Sequence, residues 1–219
     1  MAKKNSISNA SQDITIDPGS SGDSFIQFSI NGTGEFRVGV DDDDSDKFKI
    51  SQGSSLGSND TFVMTSAGER TMPLQSSFLA YNSSSDTNQT GSGTTVTVEF
   101  DTEVFDQNND YNNSTDTFTA PVTGRYIFEA SIIIGNFTAA DEMEVYGVTS
   151  NRTFTMNYID PNTVKTSTGY YGAAVAFFAD MDASDTCKIQ IMVDGEAGDI
   201  NTIYGTSNPQ TFFCGNLVC

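Results

Sequence analysis

Aromatic residues, one aspartate and one glycine recur at fixed intervals between residues 100 and 128. They follow the spacing F-x5-D-x4-Y-x6-F-x5-G-x-Y-x-F and are Phe100, Asp106, Tyr111, Phe118, Gly124, Tyr126 and Phe128. Residues 94–100 and 125–132 alternate with period two, which is typical of strands with one buried face. Gly, Pro, Asn or Asp separate such runs. The pattern predicts an all-β domain, a sandwich or a jelly roll of short strands.

This spacing resembles the signature of the globular head shared by complement C1q and the tumour necrosis factor superfamily. The segments that match the opening, late and closing strands of that head are Ser77–Tyr81, Asp185–Ile191 and Thr211–Val218. The resemblance covers residues 75–219 and implies a C1q/TNF-like jelly-roll head that assembles as a homotrimer. The seven spaced residues, with Phe213 and Gly215, are then its fold and trimer signature. Ala130 departs from the pattern, because the family usually has an aromatic residue there.

Residues 21–74 form a second module, which we predict to be a β-rich, intertwined trimeric stem. Alternating runs with turn residues between them, among which Asn31-Gly32 is a hairpin signal, predict strands at Ser24–Ile30, Glu35–Val40, Lys47–Ser51 and Thr61–Thr65. About 50 residues with so few apolar side chains cannot build a stable core alone. We therefore expect three chains to share an interior formed by Phe25, Phe28, Phe36, Phe48 and Phe62. Residues 1–20 are polar and are predicted to be an N-terminal attachment tail.

The stem sequence resembles segments of fibre and appendage proteins of tailed bacteriophages, in the blocks at residues 22–51 and 59–73. This resemblance implies a virion structural protein made in the host cytoplasm, a short homotrimeric fibre or a capsid or tail appendage such as a head fibre, decoration or spike. Its expected partners are two further copies, a capsid or tail protein held by the tail, and a host-surface receptor or glycan. The alternatives are a soluble bacterial C1q-like lectin, which does not need the stem, and a glycan-cleaving spike.

Composition argues against several other classes of protein. The chain has no His, so the usual general base and the commonest transition-metal ligand are absent, and we predict that it is not an enzyme. The net charge of −19 disfavours nucleic-acid binding through the surface. No apolar stretch follows the initial Met-Ala-Lys-Lys, so we expect neither a secretory signal nor membrane insertion.

Candidate metal ligands and reactive thiols are few. The run from Asp41 through Asp42 and Asp43 to Asp44 is a candidate calcium site, because calcium takes carboxylate oxygens. Its spacing equally suits a solvated acidic turn, and no other cofactor is expected.

Cys187 and Cys214 fall within predicted strands and are expected to be buried free thiols. Cys219 is expected to be a free thiol or an interchain link. The residues that bind a ligand are not identified by any motif, although residues 83–93, 108–113 and 149–167 are expected to be long polar loops.

Overall fold

A computed structural model describes residues 16–19 and 21–219. The chain divides into two units, with the boundary between Leu74 and Gln75; we call them the stem unit and the head unit. The predicted attachment tail lies almost wholly outside the described residues. Among the residues that are described, no helix is both long enough and apolar enough to span a membrane.

The stem unit is one antiparallel sheet whose strands follow chain order. Its strands are β1 (Ser24–Ile30), β2 (Thr33–Asp41), β3 (Lys47–Gln52), β4 (Asp60–Met64) and β5 (Arg70–Thr71). Asn31 and Gly32 join β1 to β2 with φ of 52° and 84°, the left-handed backbone that this two-residue hairpin turn requires. Tight turns let each strand pair with its neighbour in the same chain, and the intertwining of three chains stays a prediction.

The head unit consists of short strands and one helical turn. Its elements are β6 (Ser77–Tyr81), β7 (Asp86–Thr90), β8 (Thr95–Thr97), β9 (Thr102–Asp106), β10 (Tyr111–Asn112), β11 (Thr117–Thr119), β12 (Gly124–Gly135), β13 (Glu142–Thr149), β14 (Thr153–Ile159), α1 (Pro161–Val164), β15 (Tyr170–Met181), β16 (Thr186–Asp194), β17 (Asn201–Ile203) and β18 (Phe212–Leu217). The three segments expected to be polar loops thus contain β7, β10, β14 and α1, and that expectation was wrong for much of their length.

Two antiparallel sheets form the head. One has the order β7-β17-β12-β18-β6-β9. In it, β17 and β18 pair with one edge of β12, and β15 pairs with the opposite edge along the whole strand. The second has the order β10-β11-β16-β13-β14, with β8 beside β16. Alternate residues of both sheets, such as Tyr126 and Phe128 of β12 and Ile189 and Ile191 of β16, are buried in one apolar cluster. This is the two-layer core of a jelly-roll sandwich.

Candidate functional site

The spaced aromatic residues lie in the head core and not on a binding surface. Phe100, Phe118, Tyr126, Phe128 and Phe213 have no exposed area. Around Phe128 the ring centroids of its aromatic neighbours are 5.3–6.2 Å away, within the range of favourable ring pairs. The same rings explain the departure at Ala130, because Phe213 lies directly opposite Ala130 on the neighbouring strand. The spacing therefore encodes packing.

Asp106 and Tyr111 fix the loop that leads from β9 to β10. The Asp106 carboxylate accepts hydrogen bonds from the backbone N–H groups of Asp110 (3.1 Å) and Tyr111 (2.9 Å). The Tyr111 hydroxyl donates to the Phe100 carbonyl at 3.3 Å. Burial, followed by the nearby Asp116 carboxylate, raises the pKa of this hydroxyl. Both signature residues thus hold backbone in place.

The two signature glycines allow close approach of strands. A Cβ on Gly215 would lie 2.5 Å from Phe128 Cδ1, and a Cβ on Gly124 would lie 2.7 Å from Leu217 Cδ1. Gly124 does not have a positive φ, so the backbone conformation of a turn does not account for glycine at this position. Its space is taken by the closing strand β18.

One large apolar surface of the head is uncovered in the single chain. We call it the head assembly face: the outward side chains of β6, β9, β12, β15 and β18. Its apolar members are Leu79, Phe105, Ile127, Ile133, Phe178 and Phe212. Phe178 is 61% exposed and Phe105 is 47% exposed. A groove of about 330 Å³ lies on this face, lined by Ser131, Ala174 and Ala176 together with Phe212 and Glu129. Exposed apolar surface of this extent marks an interaction site.

The stem sheet also has an uncovered apolar side, which we call the stem face. Its apolar residues are Ile26, Phe28, Phe36, Val38, Val40, Phe48, Ile50, Phe62 and Met64. Four of the five phenylalanines predicted to share an interior are here. Phe25 is not, and its placement is corrected. Alternation puts it on the opposite side, where the Arg37 guanidinium lies 3.9 Å from its ring centre.

The Lys49 ammonium group forms ion pairs with the acidic run that was considered for calcium. Lys49 Nζ contacts carboxylate oxygens of Asp41 at 2.8 Å, Asp44 at 2.7 Å and Asp60 at 3.2 Å, and its side chain is only 4% exposed. Burial alone would lower the pKa of Lys49, but its hydrogen bonds to these carboxylates raise it. Asp42 and Asp43 lie exposed in a 3-10 turn with Asp44. Across residues 16–19 and 21–219, no three Cys, Asp or Glu side chains form a group that could hold a metal ion.

The three thiols differ in exposure. Cys187 is buried, Cys214 is half-buried on the head assembly face, and Cys219 is exposed. Burial raises the pKa of both Cys187 and Cys214, and the Glu129 carboxylate adds to the rise at Cys214. None of the three is in a disulfide in the single chain.

A polar cleft of about 290 Å³ lies where β12 begins and β15 ends. It is lined by Thr123, Arg125, Asn151, Asp180 and Asp182, with Met181 and Gly124. Asp180 pairs with Arg152 at 3.1 Å across the cleft edge, and Asn151 donates to Asp185 at 2.5 Å. The lining thus combines donor groups of Arg125 and Asn151 with acceptor groups of Asp180 and Asp182, a mixture that can contact a hydroxyl-rich ligand.

Comparison with known proteins gives a family for the head. The family model described as the C1q domain matches residues 80–218. No curated protein matches the chain. Among solved structures, the globular domain of zebrafish complement 1qA is 17% identical and has a TM-score of 0.44, over 66% of this chain and 98% of that one. Murine APRIL is 12% identical, with a TM-score of 0.44 over 66% and 99% of the two chains. Eiger TNF from S. frugiperda is 9% identical, with a TM-score of 0.45 over 66% and 93%.

Proposed function

The chain belongs to the C1q domain family, and on that basis we propose that it is a homotrimeric adhesion protein that forms a short fibre or surface appendage on the virion of a tailed bacteriophage. C1q domains are binding modules and not catalysts, which agrees with a chain that has no His. The finer assignment to a virion is supported by the similarity of residues 22–51 and 59–73 to phage fibre proteins.

The observation that carries the proposal is the head assembly face. Phe178, 61% exposed on β15, and Phe105, 47% exposed on β9, are at opposite margins of one sheet, with Ile127 and Leu79 between them. A monomer would leave these rings in water, whereas contact with a second and third copy removes them. Three linked heads also give avidity, so that weak single sites suffice for adhesion.

Light scattering on a sizing column tests the trimer. The full chain of 23.5 kDa should elute with a mass three times that value. Phe178→Asp should give monomers, because it puts a charge into the contact without disturbing the core. Val122→Asp, at a loop residue of comparable exposure outside the face, should remain trimeric. A monomeric wild-type chain at micromolar concentration would refute the proposal.

The virion assignment has its own test. Antibody labelling of purified phage particles should detect the protein, and deletion of residues 1–70 should abolish its incorporation while leaving the head folded. A chain that is absent from particles and found free in the culture refutes this part of the proposal.

The polar cleft beside Arg125 favours a second candidate, a soluble bacterial C1q-like lectin. Its lining offers both donors and acceptors to the hydroxyl groups of a sugar. Under this alternative, deletion of residues 1–70 leaves glycan binding intact and no particle carries the protein. Turnover of a capsular polysaccharide, which we do not expect, would instead identify a glycan-cleaving spike.

A further inference from the structure

We propose that the stem face is a second self-association surface, occupied by the stem faces of two further copies, and that it closes only when the heads have already brought the chains together. This inference rests on the proposed trimer and adds to it a specific contact and an order of assembly.

The stem face is apolar across four strands. Two cross-strand rows carry it, Ile26–Val38–Ile50–Phe62 and the neighbouring Val40–Phe48–Met64. The pair Phe28–Phe36 extends the surface toward the first hairpin, and these two rings are 56% and 45% exposed. The side chains named in these two rows are apolar, the second row continues to Arg70 of β5, which pairs with Met64, and the single chain leaves the rows partly exposed to water.

The opposite side of the same sheet is covered by the chain itself. The loop between β3 and β4 lies over it, with Leu56 8% exposed and the Gly57 N–H donating to Asp60 at 3.0 Å. Beneath this loop, the Lys49 ammonium is enclosed by Asp41, Asp44 and Asp60. The loop thus covers the opposite side over Asp41, Lys49 and Asp60, while Gln27 on that side stays exposed, and the stem face has no such cover.

The partner is a second copy because the surface is apolar and self-complementary in character. An outside partner chosen by charge would need several charged contacts, and the rows of the stem face offer one, Arg70 at the end of the second row. An identical apolar sheet meets the face with no unpaired polar group, as two sheets do in a sandwich.

The size of the face decides the order of assembly. Four strands about 4.8 Å apart and five residues at about 3.4 Å each give a footprint of about 19 by 17 Å, or roughly 330 Å². A stable interface needs about 800 Å² on each partner. The stem face is well below that size, so it cannot gather chains from dilute solution. Chains already joined through their heads meet at millimolar effective concentration, where a small face is sufficient.

Thiol cross-linking in the full-length chain tests both parts. In a background of Cys214→Ser and Cys219→Ser, with Cys187 buried, Phe28→Cys places one thiol on the stem face. Gln27→Cys is the matched control, because the adjacent residue points to the other side of β1. With copper phenanthroline as oxidant at about 1 µM protein, far below the effective concentration inside a trimer, Phe28→Cys should give covalent dimers about 100-fold faster than Gln27→Cys.

Adding Phe178→Asp to Phe28→Cys tests the order of assembly. The head no longer joins the chains, so cross-linking should fall by about 100-fold. Equal cross-linking of Phe28→Cys and Gln27→Cys in a chain that light scattering shows to be trimeric would overturn the stem contact alone. Cross-linking that persists in the monomeric Phe178→Asp chain would overturn the dependence on the heads. A chain that is monomeric without Phe178→Asp refutes the proposed trimer itself.

Discussion

Phe128→Ala probes the packing that the sequence spacing encodes. Phe128 has no exposed area, and four aromatic rings surround it at 5.3–6.2 Å. On the fifth side is the backbone of Gly215, where even a Cβ would approach Phe128 to 2.5 Å. These walls are rings and hydrogen-bonded strand, so they cannot collapse into the space that the phenyl group leaves. We therefore expect the full loss that is usual for Phe→Ala in a core, about 4 kcal/mol.

That loss converts into a large thermal shift. The head unit, residues 75–219, unfolds with an entropy of about 0.3 kcal/mol/K at the usual value per residue, so about 4 kcal/mol lowers Tm by roughly 13 °C. Differential scanning calorimetry at one fixed chain concentration measures the shift, because Tm of an oligomer depends on concentration. Tyr158→Ala, which removes an aromatic ring that is 66% exposed on β14 and lies outside the head assembly face, is the control and should lower Tm far less. Equal shifts for the two variants would refute the assignment of Phe128 to the core.

Three further changes test other parts of the structure. Glu196→Gln should cost about 2–3 kcal/mol, because its carboxylate accepts from Thr138, Ala139 and Ala140 N–H groups. Burial raises the pKa of Glu196, but these hydrogen bonds outweigh it and hold the pKa below its ordinary 4.5. In urea titrations, the difference in unfolding free energy between wild type and Glu196→Gln should thus be full above pH 4.5 and disappear as pH falls through the lowered pKa. Lys49→Met should destabilise the stem unit by about 3–5 kcal/mol, since it leaves Asp41 and Asp60 charged and unpaired. Lys47→Met, at a partly exposed ion pair, is the control and should cost under about 1 kcal/mol. Equal losses in the unfolding transition of the stem unit would contradict the burial of the Lys49 network. Gly124→Val should reduce soluble, folded protein because its side chain meets Leu217 and the Cys219 carbonyl, whereas Gly198→Ala, with nothing within 4 Å of the added Cβ, should not; circular dichroism of purified material distinguishes them.

Two strands have the predicted bounds, for different reasons. Ser24–Ile30 was predictable because Ile26, Phe28 and Ile30 alternate with polar residues before a turn, whereas Ser77–Tyr81 has four consecutive apolar residues and was predicted from the family resemblance. The run at residues 94–100 forms a strand only over Thr95–Thr97, since Phe100 leaves the sheet to fill the core. β15 was missed, because its run of Gly, Ala and aromatic residues has no clear alternation and is a strand through its pairing with β12.

Surfaces were less predictable than strands. Alternation along β1 puts Phe25 and Phe28 on opposite sides of the sheet, because they are three residues apart, whereas the placement of Phe28 and Phe36 on one side required the pairing register of β1 with β2. The contact between Lys49 and Asp60 joins residues from two strands, and no local sequence pattern predicts it. The polar cleft was missed for the same reason, because Arg125, Asn151 and Asp180 come from three separate segments of the head. The excess of acidic residues in the composition did not indicate which of the few Lys and Arg residues form ion pairs.

The self-contained pairing of the two sheet systems bears on how such a gene can change. Strands β1–β5 find their hydrogen-bonded neighbours within residues 24–71, and strands β6–β18 find theirs within residues 77–217. Recombination in the short segment that encodes residues 72–76 would exchange one half of the protein for that of a relative without breaking a single strand pair. A lineage could in this way acquire a new head unit in one genetic event and keep its stem unit unchanged.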